Sequence, residues 1–252
     1  MNAVQVAGWG LWTPGYGSAS DWVARREDPA LTGPKPRMLN SRIGRYTSQH
    51  TRLALQVLEQ AADHAAFDLS TVATVYGSVY GEIQIAFEQM DMIREEGVAS
   101  PARFKNSVHN TAGGHGAIAC GNHNFSTAIA AGSATFAMSL LEAWGWLDAH
   151  GGEAIVVVAD EKPPEHLDKI KDHEPLGVAI ALKAGSTGGG GVPKLAALAV
   201  RQDLQESPRL VGWVDNPCAA ALHLVDALER RRAGIVPVEV GGDGWSVEVE
   251  FA

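Results

Sequence analysis

The sequence predicts an α/β protein in which helices cover a central, largely buried β-sheet. Apolar, strand-like runs alternate along the chain with helix-like runs, which is the order typical of α/β layers. The run AIVVVA at residues 154–159 also lacks the polar alternation of a half-exposed strand. Such a run is typical of a strand covered on both faces. The length of 252 residues is sufficient for one large domain with its own core.

The other strands are predicted from β-branched or alternating residues. They are AVQVAGWGLW (3–12), STVATVYG (70–77), the short NFSTAIAAG (124–132), LGVAIALKAG (176–185), KLAALAV (194–200) and WSVEVEFA (245–252). We expect polar residues 201–217 to form a loop and GSTGGGG (185–191) to form a flexible turn.

An apolar helix is predicted after the AAGS turn at residues 130–133, in the stretch that ends at Trp144. Four further helices are predicted from apolar periodicity or small-residue content. They are the amphipathic segment 51–66, the segment 82–97 stopped by Gly97, the small-residue segment 111–121, and the segment 218–234 with an Arg run in its last turn. Gly113 and Gly114 are poor residues for an exposed helix, so we expect another backbone to approach closely there.

Composition and charge exclude several classes of function. The formal net charge of −9, with only short basic clusters, argues against nucleic-acid binding. No apolar run is long enough to span a membrane, and the N-terminus lacks the features of a signal peptide. We therefore expect a cytoplasmic protein with no membrane contact, and we interpret Cys120 and Cys218 as buried thiols.

The turn AAGSA at residues 130–134 places Ser133 between a strand and a helix, where nucleophiles often lie. A serine nucleophile needs a neighbouring base. The flanking Ala and Gly residues supply none, and the stretch lacks the G-x-S-x-G pattern of hydrolases. Local sequence therefore favours Ser133 as a helix cap.

Three other polar patterns are weaker. The spacing of His109, His115, Cys120 and His123 matches no established zinc site, so we expect no metal. The GSTGGGG turn does not open a helix, so we expect no dinucleotide and no other cofactor. Asp160 and Glu161 could bind a ligand at a strand end, although a solvated loop is the favoured interpretation.

The joint order of several short motifs resembles the N-terminal half of β-ketoacyl synthases, the condensing enzymes of the thiolase fold. The matching segments are SP at 100–101, NSVHNTAGGHGAIACG at 106–121, NFSTAIAAGSATFAMSLLEAW at 124–144 and AIVVVADE at 154–161. The resemblance covers roughly residues 1–200. It implies a thiolase-like α/β fold whose N-terminal half is largely complete and whose C-terminal half is truncated, with residues 201–252 as a remnant, a helix plus a strand, on the same core.

Under this resemblance Ser133 occupies the position of the catalytic Cys. The family's second half, with two catalytic histidines and a lysine, has no counterpart in the sequence; His150, His166, His173 and His223 lie outside the family's histidine motifs. The chain is thus similar to the short chain-length-factor-type partners of aryl-polyene and type II polyketide ketosynthases. The resemblance implies a non-catalytic subunit that forms a heterodimer with a full-length β-ketoacyl synthase and shapes the tunnel for the growing chain. Acyl carrier protein would then dock through that partner.

The resemblance also implies which residues form the interface or line the tunnel. The strand near 124–132 would pair across the interface, and the helix near 83–92 would line it, although that helix could equally be an ordinary buried one. The candidates are Ile83, Phe87, Met90, Asn110, Phe125, Thr127, Ile129 and Phe136.

Two other hypotheses remain open. Ser133 could serve an acyltransferase or thioesterase, with His115 as its base. A minimal condensing enzyme is less favoured, because both the thiol and the histidines are lacking.

Overall fold

A computed structural model of the chain describes residues 1–39, 44, 47–165, 167, 170–185, 191–201, 213 and 215–251. The strands in these residues are β1 (Val4–Trp12), β2 (Ala73–Gly77), β3 (Ser126–Ile129), β4 (Glu153–Asp160), β5 (Leu176–Ala184), β6 (Pro193–Val200), β7 (Gly234–Pro237) and β8 (Trp245–Phe251). The helices are α1 (Ala19–Ala24), α2 (Gln49–Ala65), α3 (Ile83–Glu96), α4 (Pro101–Phe104), α5 (Thr111–Cys120), α6 (Thr135–His150) and α7 (Ala221–Glu229).

The strands form one mixed sheet in the order β3-β2-β4-β5-β1-β6-β8-β7. β2 is parallel to both β3 and β4, and the other pairs are antiparallel. β3 therefore lies at one edge, with β2 as its one neighbour among the described strands. None of the described helices has the length and apolarity that crossing a lipid bilayer requires.

The central strand β4 confirms the prediction made for AIVVVA. Its alternate side chains enter two separate hydrophobic clusters, as the two-residue period of a strand requires. Ile155 and Val157 pack in the cluster that contains α2, whereas Val156 and Val158 pack in the cluster that contains α6. Helices therefore cover both faces of the sheet.

The amphipathic helix α2 covers one face. Leu53, Val57 and Ala61, spaced four apart, are each fully buried. The N-cap Ser48 accepts the Thr51 amide, and Ala66 ends the helix in the left-handed region with φ 56°. Cap and apolar stripe together fix the helix that the sequence predicts.

The last part of the chain continues the same sheet. β8 pairs with β6, and β7 adds an edge strand that the sequence analysis did not predict. Leu222, Val225 and Val247 belong to the same cluster as β4 and α6. The division at residue 200 into an N-terminal domain and a remnant stays a prediction.

Two expectations about local structure need correction, and a third is not tested by the described residues. α7 ends at Glu229, so the Arg run follows the helix, where Arg230 and Arg232 both pair with Asp226. In α5 the close neighbour is the Tyr76 side chain, not a backbone, and it packs against Gly113. The loop expected at 201–217 and the GSTGGGG turn fall largely outside the described residues.

Candidate functional site

The candidate site is the turn that connects β3 to α6, which we call the elbow (residues 130–135). Gly132, with φ 56°, provides the left-handed conformation that the turn needs. The Thr135 hydroxyl donates to the Gly132 carbonyl at 2.8 Å and accepts the Ala131 amide at 3.0 Å. The sequence thus closes the elbow with one glycine and one threonine, and it presents Ser133 on an exposed 3-10 turn.

Ser133 does not cap a helix, so that expectation is wrong. Ala131 and Ala134 hold the cap positions of the 3-10 turn and of α6, without side-chain cap bonds. The Ser133 hydroxyl instead donates to Glu239 Oε1 at 2.8 Å. Glu239, between β7 and β8, was not identified from the sequence; its other oxygen accepts the amides of Gly244 and Trp245 at 3.1 and 3.2 Å.

A cleft with a volume of about 260 Å³ opens beside the elbow. Its walls include Tyr80, Ser133, Asn216 and an ion pair between Lys171 and Asp215, whose Nζ and Oδ1 atoms lie 2.7 Å apart. The cleft therefore lies at the end of β2, at the same edge of the sheet as the elbow. It is large enough for part of a small molecule or an acyl chain.

Asp160 is buried and bonded to two residues that line this cleft, Val79 and Tyr80, which corrects the expectation of a solvated loop at residues 160–161. Asp160 is fully buried and accepts the Ser78 hydroxyl at 2.7 Å and the amides of Val79 and Tyr80, each at 3.0 Å. Cys218 Sγ also lies 3.2 Å from Asp160 Oδ2. The carboxylate therefore holds the segment after β2 in place and is unavailable to a ligand.

A second buried group of charges lies next to Asp160. His50 Nδ1 lies 3.3 Å from Glu82 Oε1, which also accepts the Thr51 hydroxyl at 2.6 Å. Glu161 is 2% exposed and accepts the amides of His50 and Gln84, each at 3.2 Å. These bonds tie α2 and α3 to the end of β4.

The ionisable side chains of this group shift one another's pKa values. Burial alone would lower the pKa of His50, but hydrogen bonding and attraction to Glu82, with help from Glu161 and Asp160, raise that pKa to about 9. Burial alone would raise the pKa of Glu82, but the His50 partner keeps it below its usual value. Burial raises the pKa of Glu161 to about 7, with a further contribution from Glu82 and opposition from His50.

The histidines do not converge on Ser133 in the part of the chain that the structure describes. His115 is half-buried on α5, burial lowers its pKa, and none of the hydrogen bonds described joins it to Ser133. His109 donates to the Ser78 carbonyl at 2.9 Å, and His173 stacks on Tyr80 with ring centroids 6.3 Å apart. His166 lies outside the described residues.

The two cysteines differ from each other. Cys218 is buried as expected, but Cys120 is only partly buried, which corrects the prediction for that thiol. Burial raises the pKa of both thiols. Neither is therefore an activated nucleophile.

The interface candidates divide into buried and exposed residues. Phe136 is 1% exposed inside the core, and Ile83, at 5% exposed, lies at the start of α3; the interface or tunnel role of both stays a prediction. The other six are at least partly exposed: Phe87, Met90, Asn110, Phe125, Thr127 and Ile129. Their roles stay predictions.

α3 is not an ordinary buried helix. Of its residues only Ile83 and Gln89 are buried, whereas Met90 is 58% exposed and Ile93 is 50% exposed. Ile118 on α5 is 71% exposed. The described residues of the chain therefore leave large apolar side chains of both helices exposed.

Comparison with known proteins identifies the family. Residues 18–233 match the family model of the beta-ketoacyl synthase N-terminal domain, and the chain therefore belongs to the β-ketoacyl synthase family. The 252 residues correspond to roughly the N-terminal half of a ketosynthase. A search of curated proteins finds no match.

Solved structures share the fold. The chain is similar to a chain of the complex of the ketosynthase ApeO with its chain length factor ApeC from Xenorhabdus doucetiae, with 21% identity and a TM-score of 0.73 over 99% of this chain and 100% of that one. The ishigamide ketosynthase/chain length factor is 15% identical, with a TM-score of 0.62 over 90% of this chain and 74% of that one. A beta-ketoacyl synthase from Burkholderia phymatum is 14% identical, with a TM-score of 0.61 over 96% and 76%. The chain has the thiolase-like ketosynthase fold.

Proposed function

We propose that the chain is a non-catalytic, chain-length-factor-like subunit that forms a heterodimer with an active β-ketoacyl synthase and shapes the tunnel for a polyene or polyketide chain. The observation that carries the proposal is the Ser133 hydroxyl, which donates to Glu239. Condensation needs an acylated thiolate and acid–base groups near it. The elbow keeps the strand-to-helix geometry but has a serine in place of a thiol, and the hydrogen-bond partner of Ser133 is a carboxylate, which is a weak base for a hydroxyl.

The open side of the molecule supports a protein partner. β3 is an edge strand whose residues are exposed or half-buried. An open edge is a template for pairing with a strand of another chain. The exposed apolar residues of α3 provide a second surface of the kind that obligate partners bury.

The similarity to the Xenorhabdus complex also supports this role. One chain of that ketosynthase and chain length factor pair aligns over its whole length with this chain. We infer that the same type of pairing applies here, that the product is of the aryl-polyene or type II polyketide kind, and that acyl carrier protein is bound through the partner.

Co-expression tests the proposal. The chain should co-purify in a 1:1 ratio with a full-length β-ketoacyl synthase from the same organism. Ile93→Glu, at a 50% exposed position on α3, should abolish co-purification. The matched control Val200→Glu, at a 48% exposed position on β6, should not. A synthase that is fully active alone and never binds the chain would contradict the proposal.

A serine-dependent acyltransferase or thioesterase is the second candidate, because Ser133 is exposed and lines the 260 Å³ cleft. Its base would be Glu239 rather than His115, according to the hydrogen bond observed. A carboxylate is a weak base for a serine hydroxyl, so this candidate ranks second.

A further inference from the structure

Glu239 joins the elbow to the segment between β7 and β8. It is 7% exposed, and three hydrogen bonds fix its carboxylate: one from Ser133 and two from the amides of Gly244 and Trp245. A side chain with so many partners is held in one position. Its carboxylate therefore lies in a fixed position beside Ser133 Oγ.

The backbone of the same segment is shaped for this contact. A Cβ at Gly242 would overlap Glu239 Oε1 and lie 2.7 Å from Ser133 Oγ. A residue larger than glycine would separate the carboxylate from the hydroxyl. Gly242 thus allows the chain to pass directly over the pair.

The placement matters because negative charge normally develops at a nucleophile's elbow. A helix N-terminus stabilises a thiolate or an oxyanion there. A fixed carboxylate 2.8 Å from the nucleophile position opposes both species. The charges of Lys171 and Asp215, which line the same cleft, pair with each other.

We propose that Glu239 is an intramolecular clamp: it keeps Ser133 as a hydrogen-bond donor within the protein and excludes developing negative charge from the elbow. Glu239 is thus a positioning residue whose effect is to keep the elbow unreactive. The proposal deepens the non-catalytic role and rests on it for its biological meaning. Its test needs no partner subunit, so the two can fail separately.

The test places a titratable probe at the elbow of the full-length chain. Ser133→Cys introduces a thiol, and its rate of alkylation by iodoacetamide is measured against pH, with and without Glu239→Gln. Removing the charge should lower the apparent thiol pKa by at least about half a unit, which is about threefold more thiolate below that pKa. Cys120 and Cys218 are replaced by alanine in all variants, and peptide mass spectrometry locates the label.

The matched control is Glu250→Gln, which removes the same charge from an exposed position on β8. It should leave the thiol profile unchanged. The proposal would be overturned if the alkylation rate of the Ser133→Cys thiol had the same pH dependence with and without Glu239→Gln. It would also be overturned if Glu250→Gln shifted that pH dependence as much as Glu239→Gln does. If Glu239→Gln does not fold, Glu239→Asp replaces it: the shorter carboxylate should shift the profile in the same direction by less, and an unshifted profile would count against the clamp.

Discussion

Glu161 should make the protein lose stability as the pH rises through neutrality. Its pKa is about 7 in the folded chain, against an ordinary value of 4.5, because burial disfavours the charged carboxylate. The folded state therefore holds this proton more tightly than the unfolded state. The resulting stabilisation is complete below about pH 4.5 and is lost as the pH rises through about 7. A shift of this size corresponds to about 3 kcal/mol in the free energy of unfolding.

Urea unfolding at a series of pH values from about 5 to about 8 measures this effect. Glu161→Gln stays neutral, and its amide oxygen can still accept one of the two amides that Glu161 accepts. The difference in free energy of unfolding between the two proteins isolates the Glu161 proton from most other titrating groups. Relative to the variant, the free energy of unfolding of the wild type should fall by about 2 to 3 kcal/mol between about pH 5 and about pH 8. Parallel curves for the two proteins would refute the argument.

Three further results are expected. Phe136→Ala should lower the free energy of unfolding by about 3 to 5 kcal/mol, because the ring is fully buried in the core; a loss below about 1 kcal/mol in urea unfolding would contradict the assignment. Gly116→Ala should destabilise the chain by about 1 to 3 kcal/mol in thermal melts, because the added Cβ would lie 2.8 Å from Tyr76 Oη. The control Gly114→Ala has open space around its added Cβ, so it should be neutral or stabilising by up to about 1 kcal/mol. Incubation with an acyl thioester should leave no acyl adduct in the mass spectrum; an adduct that disappears in Ser133→Ala would favour the acyltransferase.

The elements set by local pattern were predictable from the sequence. The four-residue spacing of Leu53, Val57 and Ala61 predicts α2, and the unbroken apolar run at 154–159 predicts β4. Gly97 ends α3 with φ 73°, as expected. In each case the residue pattern that predicts the element lies inside that element or directly at its end.

The site depends on contacts that local pattern does not contain. Ser133 and Glu239 lie 106 positions apart, so nothing near either residue indicates the pair. Asp160 and Glu161 precede a charged loop, which predicts solvent exposure. In the structure both are buried: residues 78–80, which follow β2, contact Asp160, and α2 contacts Glu161. The exposed apolar face of α3 has the same composition as a buried one, and only the packing distinguishes them.

We propose that this chain contributes binding surface and shape to a condensing enzyme but no catalytic group. The most direct test is the condensation rate of the purified pair, reconstituted from a full-length synthase of the same organism and this chain carrying Ser133→Ala. We expect a rate and a product length unchanged from those of the wild-type pair. Loss of condensation in a pair that still assembles would contradict it.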